Sequence, residues 1–289
     1  MRESLATRLM LIAPAQALIA AVIALPAVYL VWLSFQQSTF GAQAVYVGFA
    51  NYARILTDGY FWHAMGNTVI VVLAVVHLEL FLGLLMALLF ASGLPMRRML
   101  LAIVLAPYAV SEVAAVVMWR YLFDPDVGHV AWLLGRLGLP TLEWAVSPAQ
   151  GLTMVSLLSV WLHLPFTFMI LYAARLALPG DVYEAARIDG ATGFQAFWRV
   201  TLPLMVPAIL IAALFRLIFA FRLFGEVWLL TAGGPARSTE VVAVYLYLEA
   251  FRYNAFGPAA ATGWLMVVFS LLLASPYLWR LARSARDAA

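Results

Sequence analysis

The segment Leu178–Pro203 has the sequence LPGDVYEAARIDGATGFQAFWRVTLP and lies between two long apolar stretches. A Pro-Gly pair near its start ends the preceding helix, and Asp181 can cap a new helix over Val182–Asp189. Gly190 can end that helix, because glycine readily adopts a positive φ. The segment therefore predicts a short helix that interrupts the passage from one apolar stretch to the next.

A second short helix is predicted over Gly193–Arg199. Its aromatic residues Phe194, Phe197 and Trp198 are spaced i, i+3 and i+4, so they share one apolar face. The whole segment is therefore predicted to be a helix–turn–helix beneath the membrane. On composition alone, an interfacial amphipathic hairpin that merely connects two helices explains it equally well.

The stretches on either side are apolar enough to cross a bilayer. Of the 289 residues, 65% are hydrophobic and 11% are charged, whereas ordinary soluble domains have about 45–50% and about 25%. A helix needs about 20 apolar residues to span the hydrocarbon core, and it must satisfy its own backbone hydrogen bonds there. Six helices are predicted to cross: Leu9–Phe35, Thr68–Ala91, Met99–Tyr121, Gly151–Ala174, Leu204–Leu230 and Gly257–Leu278.

The basic and sulfur-containing residues exclude several kinds of site. All 17 basic residues are arginine, and the chain has no cysteine. A P-loop and a pyridoxal Schiff base each require a lysine, and thiolate metal sites and disulfides require cysteine. No Gly-x-Ser-x-Gly or His-Glu-x-x-His pattern occurs. We therefore expect no catalytic residue, no metal site and no cofactor bound by this chain.

The arginines also predict the orientation in the membrane. The segments on the side of the two termini hold ten of them, and the alternate segments hold five, so both termini are predicted to be cytoplasmic. The scattered arginines thus reflect topology and not a nucleic-acid site. The two sets are Arg2, Arg8, Arg97, Arg98, Arg175, Arg187, Arg199, Arg280, Arg283 and Arg286 against Arg54, Arg120, Arg136, Arg237 and Arg252.

The spacing within residues 178–203 is similar to the EAA loop of the integral-membrane subunits of ABC importers. The match comprises Glu184-Ala185-Ala186, Gly190 and Leu202-Pro203, with Val200 where isoleucine is usual. The resemblance implies that the first helix of this ATPase-coupling loop sits in a groove of an ATPase subunit, with Glu184 in a charge-assisted contact. The coupling residues it implies are Glu184, Ala185, Ala186, Asp189, Gly190, Leu202 and Pro203.

Other positions resemble the binding-protein-dependent sugar permeases. They are Asn67-Thr68, Gly83-Leu84, Pro107 with Trp119, and Ile188-Asp189-Gly190-Ala191. The Thr-x-Gly-Gly-Pro element at 231–235, followed by Thr239, resembles the first of the two permeases in maltose-, glycerol-3-phosphate- and trehalose-type importers. Glu112 departs from the pattern, because an uncharged residue is expected at its depth.

The resemblance implies an all-α membrane protein with six transmembrane helices and a cytoplasmic coupling-helix hairpin between the fourth and fifth. Residues 1–289 would form a single permease domain, multi-pass in the bacterial cytoplasmic (inner) membrane and in contact with lipid. The implied partners are a second homologous permease subunit, two ATPase subunits that bind ATP and Mg²⁺, and an extracytoplasmic sugar-binding protein. The chain itself would be a transport subunit, not an enzyme, and would move an oligosaccharide or sugar derivative by alternating access.

Ionisable residues inside the predicted spans suggest where a substrate passes. Such residues are costly in lipid and should face protein or water, and Arg216 lies about 18 Å along its helix from Leu204, near the midplane. A sugar path is predicted around His163, Phe166, Arg216, Phe219 and Leu223. The structural alternative is that His163 and Arg216 satisfy unwound backbone or pair with Glu79 or Glu112. Arg222 and Glu226, spaced i, i+4, can form a local ion pair.

A different class of protein also accounts for the buried charges. An ion-coupled secondary transporter acting alone could use Glu79, Glu112 and His163 as a proton relay. That reading leaves the folded loop without a role. The two classes differ in whether the purified chain works without an ATPase.

Overall fold

The computed structural model describes residues 5–287, with side chains described for residues 10–283. Arg2, used above for orientation, lies outside the described residues, as do the side chains of Arg8 and Arg286. The regular secondary structure of the described part is helical apart from two short strands. The helices are α1 Leu5–Ser34, α2 Ala50–Leu56, α3 Gly59–Ala91, α4 Arg97–Leu105, α5 Glu112–Leu122, α6 His129–Arg136, α7 Pro148–Leu176, α8 Gly180–Ile188, α9 Gly193–Ala196, α10 Leu202–Phe221, α11 Gly225–Leu230, α12 Val242–Tyr247 and α13 Phe256–Asp287.

Five helical stretches of the described chain are long and apolar enough to cross a membrane. A sixth crossing is obtained if the bent pair α4 and α5 is counted as one span. The prediction of an all-α membrane protein with about six spans is thus confirmed in this coarser form. The five stretches are Met10–Ser34, Gly59–Ala91, Pro148–Leu176, Gly193–Phe221 and Phe256–Arg283.

The third predicted span, Met99–Tyr121, is not one continuous helix. After α4 the chain makes a 3₁₀ turn over Ala106–Ala109, and α5 leaves at 101° to the preceding segment. Val110 is extended, and the Ser111 side chain accepts a hydrogen bond from the backbone N–H of Ala114, 3.3 Å away. A proline in the 3₁₀ turn and a serine cap therefore end one helix and begin another.

The fifth predicted span, Leu204–Leu230, also differs from the structure. The helix begins earlier, since α9 continues into α10 through a π turn over Phe197–Thr201, and it ends at Phe221. Residues 222–224 are not helical, and α11 follows as a separate short helix. The break cannot be predicted from the apolar run Leu204–Leu230, because an apolar composition does not show where a helix ends.

The chain divides into two compact units. Among the described residues, the first comprises 5–61 and 245–268, and the second comprises 62–244 and 269–287. The second contains the segments that carry the predicted site. Its α3 and α7 approach closely at Gly83, where a Cβ atom would lie 3.1 Å from Thr167 Cγ2 and 3.3 Å from Phe168 N. That close approach explains why a glycine is found at this position of α3.

A buried cluster joins α3, α7 and α10 of this second unit. Phe90 packs edge-on against Phe168, with ring centroids 5.1 Å apart, and Phe168 stacks on Tyr172 at 5.3 Å. Met205 and Ala212 of α10 complete the cluster. These contacts pack α3 against α7 and α10, the two helices that flank segment 178–203.

The first unit is held together by polar contacts around a short antiparallel pair, β1 Gln36–Gln37 and β2 Val45–Tyr46. Asn51 Nδ2 donates to the carbonyl oxygens of Ser34 and Gln36, both at 2.8 Å. The hydroxyl of the buried Tyr245 donates to Asp58 Oδ2 at 2.7 Å, and burial raises the pKa of Tyr245 above its usual range. Tyr245 therefore remains a hydrogen-bond donor at any physiological pH.

Candidate functional site

The first helix of segment 178–203 is present, but it spans Gly180–Ile188 and not the predicted Val182–Asp189. Helix α8 starts directly after Pro179, with Asp181 in its first turn, where it complements the helix dipole. Asp181 lies one position inside the helix and does not cap it, because Pro179 is the N-cap residue. Gly190 ends the helix with a φ of +74°, the left-handed conformation that favours glycine.

The second predicted helix is shorter than Gly193–Arg199 and is not separate. A capping box starts α9, in which the Thr192 hydroxyl accepts from Gln195 N at 3.3 Å and Gln195 Oε1 accepts from Thr192 N at 2.9 Å. The helical path then continues into α10 through the π turn. Segment 178–203 therefore contains one separate short helix, α8, followed by the beginning of the long helical path that continues into α10.

The residues of this coupling loop are largely exposed. Glu184, Ala185, Asp189 and Gly190 are exposed, and Ala186 is half-buried. Beside them, Ile188 is 86% exposed and Phe194 is 74% exposed, and Phe194 packs edge-on against Trp198 at 6.1 Å. At the far end of the loop, Leu202 is half-buried and Pro203 is exposed. This surface thus combines exposed apolar side chains with the acidic groups Glu184 and Asp189.

The other predicted site is a cavity of about 390 Å³ in the second unit. All five residues of the predicted sugar path line it, although they come from α7, α10 and the break after α10. The first residues of α5 and α11, next to the two breaks in the predicted spans, also line it. The five residues are His163, Phe166, Arg216, Phe219 and Leu223.

One wall of this cavity is aromatic. Tyr108 and Phe166 stack with centroids 6.3 Å apart, and Phe219 meets Phe166 edge-on at 6.2 Å. Tyr108 and Phe219 are both about half exposed, so their faces remain available. Apolar ring faces of this kind can pack against the C–H faces of a sugar ring, while polar groups nearby bind hydroxyls.

The charged groups of the cavity are mostly paired within the chain. Arg216 Nε and Nη2 donate to the two carboxylate oxygens of Glu79, and Thr167 Oγ1 donates to the same carboxylate at 3.2 Å. Arg216 is 2% exposed and Glu79 is fully buried. This bidentate pair agrees with the structural alternative for Arg216 and leaves little of the guanidinium for a ligand.

His163 pairs with a different residue from those considered in the sequence. Its Nε2 lies 3.3 Å from Glu226 Oε1. The predicted Arg222–Glu226 pair does not form, because the chain leaves the helical path at residues 222–224 and the two residues no longer share a helix face. Glu112 faces the cavity, and its carboxylate packs against Gly225, where any Cβ would overlap it. Tyr108 and Glu112 are cavity residues that the sugar-path prediction did not include.

The Thr-x-Gly-Gly-Pro element and Asn67-Thr68, which are far apart in sequence, lie together in the structure. Asn67 Nδ2 donates to the carbonyl oxygens of Ser238 and Glu240, both at 2.9 Å. The Thr68 hydroxyl accepts from Val242 N at 2.9 Å. Two adjacent side chains of α3 therefore hold the loop that follows α11.

The same loop is closed internally by threonines. The Thr239 hydroxyl donates to the carbonyl oxygen of Gly234 at 2.7 Å, and it lies 2.8 Å from the Thr231 hydroxyl. Gly233 has a φ of +78°, the left-handed conformation that favours glycine. The Thr-x-Gly-Gly-Pro element therefore forms a loop that is stabilised by its own hydrogen bonds.

Comparison with known proteins agrees with these features. Residues 79–279 match the family described as "Binding-protein-dependent transport system inner membrane component". The chain is 33% identical over 279 residues to the trehalose/maltose transport system permease protein MalF of Thermococcus litoralis, covering 96% of this chain and 94% of that one. It is also 33% identical over 275 residues to the sulfoquinovosyl glycerol transport system permease protein SmoG of Agrobacterium fabrum, covering 93% and 88%.

The fold is similar to that of a solved transporter. A bacterial ABC transporter involved in the import of the acidic polysaccharide alginate matches with a TM-score of 0.83 at 22% identity, covering 96% of both chains. This likeness shows the fold, and the sequence matches show the family, as the loop motif predicted. The chain belongs to the inner-membrane components of binding-protein-dependent transport systems, the multi-pass permease subunits of ABC importers.

Proposed function

We propose that this chain is the membrane-spanning subunit through which an ATP-driven importer moves a sugar by alternating access, with α8 as the contact to a separate ATPase. The observation that carries the proposal is the exposed surface of Glu184 and Ile188 on a short helix set off by Pro179 and Gly190, with Phe194 exposed just after it in α9. Exposed apolar side chains on a rigid helix favour a protein partner. An interfacial connecting hairpin would not need this motif spacing.

The proposed partners supply the functions that this chain does not carry out itself, beginning with the binding of ATP. Without a lysine it cannot form a P-loop, so ATP and Mg²⁺ would bind to two partner ATPase subunits. A second homologous permease would complete the translocation path, and an extracytoplasmic binding protein would deliver the sugar. The family description, which specifies binding-protein-dependent transport, supports this last partner.

The cavity of the second unit is the proposed path for the sugar. Its aromatic wall of Tyr108, Phe166 and Phe219 supplies ring faces, and His163 supplies a polar edge. Arg216 lines the same cavity, but its bond to Glu79 gives it the role of holding the wall in place. The sugar permeases among the relatives, for trehalose/maltose and for sulfoquinovosyl glycerol, support an oligosaccharide or sugar derivative as the substrate class.

The proposed orientation places both termini and α8 in the cytoplasm. The ten-to-five distribution of arginines given above supports it. Reporter fusions at Arg98 and Arg187 are expected to give cytoplasmic signals, and fusions at Asp58 and Ser238 external ones. Inverted signals at these four positions would overturn the topology and, with it, the ATPase contact.

Purification tests the proposed function directly. Expressed with its partner subunits, the chain is expected to co-purify with an ATPase, and uptake into liposomes should require ATP on the side of α8. Purified alone, it should be inert under any ion gradient. Uptake by the lone chain in response to a proton or sodium gradient would instead establish a secondary transporter.

A further inference from the structure

Tyr183 lies on the half-buried face of α8, between the two long helices that the coupling loop connects. Its ring lies beneath the guanidinium of Arg175 in the last turn of α7, with Cζ 4.6 Å from the ring centroid. Its hydroxyl lies 2.9 Å from the Thr201 hydroxyl at the beginning of α10. One side chain thus contacts the helix before α8 and the helix after it.

The same Thr201 hydroxyl also contacts the π turn. It is buried and donates to the carbonyl oxygen of Ala196 at 3.4 Å, and a hydroxyl that donates one bond can still accept another from Tyr183. The bond to Ala196 spans five residues and lies in the π turn Phe197–Thr201. Turns of this kind occur frequently at functional sites, since they add a residue that can be released or absorbed. Tyr183 is bonded to the residue that closes the turn.

The contact between the Arg175 guanidinium and the Tyr183 ring is favoured by the surroundings of Arg175. Its Nε is buried and has no hydrogen-bond partner among the described residues. Movement of Tyr183 away from Arg175 would remove the cation–π contact that partly replaces water around this guanidinium. The exposed side of α8, by contrast, is left free for a partner.

We infer that Tyr183 is the positioning residue that transmits a displacement of α8 to both α7 and α10. This inference rests on the proposed function, because it takes the ATPase as the source of the displacement. A short helix held only by its flanking loops would swivel when its partner moves. A helix joined to α7 through Arg175 and to α10 through Thr201 moves both together, and α7 and α10 carry the cavity residues His163, Phe166, Arg216 and Phe219.

The test uses the assembled importer and a thiol reporter in the cavity. Since the chain has no cysteine, a Phe219→Cys change gives it a single thiol at a half-exposed cavity position. The alkylation rate of that thiol is measured without nucleotide and with ATP, Mg²⁺ and orthovanadate. ATP hydrolysis and the amount of co-purified ATPase are measured on the same samples.

With Tyr183 intact, nucleotide should change the alkylation rate. In Tyr183→Ala, the ATPase should still co-purify and hydrolyse ATP, but the nucleotide effect on alkylation should fall about tenfold, which corresponds to about 1.4 kcal/mol. Tyr183→Phe keeps the ring under Arg175 and loses the hydroxyl, so its effect should be intermediate. Thr201→Val should match Tyr183→Phe, and the two together should be no worse than either alone. Tyr46→Phe, at an exposed strand position, is the control.

The inference is overturned if Tyr183→Ala assembles and responds to nucleotide as the parent does. If that variant does not assemble, the Tyr183→Phe and Thr201→Val pair decides, and additive losses would contradict the shared bond. Failure of the proposed function itself gives a different result. In that case the parent importer would neither retain an ATPase nor change its alkylation rate with nucleotide.

Discussion

Arg216→Ala is expected to cause the largest loss of stability of any single change in the cavity. The variant leaves the Glu79 carboxylate buried and without its main partner, and removal of one member of a buried ion pair costs about 3–5 kcal/mol. Glu79 is fully buried on α3 and Arg216 lies on α10, so the pair also ties two membrane helices together. We expect a lower thermal unfolding midpoint in detergent and a smaller yield of assembled importer.

Paired substitutions distinguish this structural role from a role in binding sugar. Glu79→Met combined with Arg216→Met removes both charges at similar volume, so it should recover much of the stability lost by Arg216→Ala. Arg216→Lys keeps the charge but cannot form the bidentate contact, and should be intermediate. In the fraction of Arg216→Ala that does assemble, substrate affinity should be close to that of the parent. Normal assembly with a lost affinity would show that Arg216 binds the substrate.

Local sequence signals predicted the parts of the fold that depend on few neighbours. Long apolar runs identified the membrane helices, and Gly190 was expected to take a positive φ because a helix had to end there. Each of these features is determined within a few residues, so a single sequence contains the information. The same reasoning missed the start of α8 by two residues, because it took Asp181 as the cap and Asp181 lies in the first turn.

A proline inside a predicted span, such as Pro107, indicates a kink, and the third span does bend there. The size of that bend and the break in the fifth span could not be predicted in this way. Ser111 follows a proline in an otherwise apolar run, and only the structure shows that it caps a new helix. Similarly, the i, i+4 spacing of Arg222 and Glu226 suggests a pair only if the helix continues, and it does not. Glu226 instead meets His163, which lies 63 positions earlier, and no local pattern indicates such a contact.

The cavity is lined both by residues that the sequence predicted and by residues that it did not. All five residues predicted from depth and helix face line a common space, and for the four on α7 and α10 a continuous helix preserves those relations. Leu223 lines the same space from the break after α10. Tyr108 and Glu112 were not included in the sugar path, since they lie on either side of the break that redirects the chain. The charge at Glu112, which departs from the family pattern, was the one sequence signal that could have identified the second residue.

The second large effect is expected at the coupling loop, where Gly190→Arg and Glu184→Arg should abolish transport without preventing folding. Space around Gly190 is open, with no atom within 4 Å of a built Cβ, and Glu184 is exposed. A non-glycine residue at a φ of +74° costs about 1–2 kcal/mol, which a membrane-embedded helical bundle can tolerate. Membrane insertion and detergent-extracted yield should therefore remain near those of the parent.

Transport should nevertheless fall steeply in both variants, because each places a bulky cation on the surface that we propose meets the ATPase. Loss of one charge-assisted contact costs about 1.5–3 kcal/mol, or about 10- to 150-fold in binding to the ATPase. Uptake and substrate-stimulated ATP hydrolysis should decrease together. The measurements are ATP-dependent uptake in liposomes and the ratio of ATPase to permease after purification.

Two matched variants separate the surface effect from backbone strain and charge. Gly190→Ala introduces the same left-handed strain without the long side chain, so it should fold slightly less stably and still transport. Glu184→Gln keeps the shape and removes the charge, so its loss should be smaller than that of Glu184→Arg. Because α8 is joined to α7 and α10 on its buried side, an intact fold in the arginine variants would place their defect on the exposed side. Full transport by Gly190→Arg and Glu184→Arg in a reconstituted importer would exclude α8 as the ATPase contact.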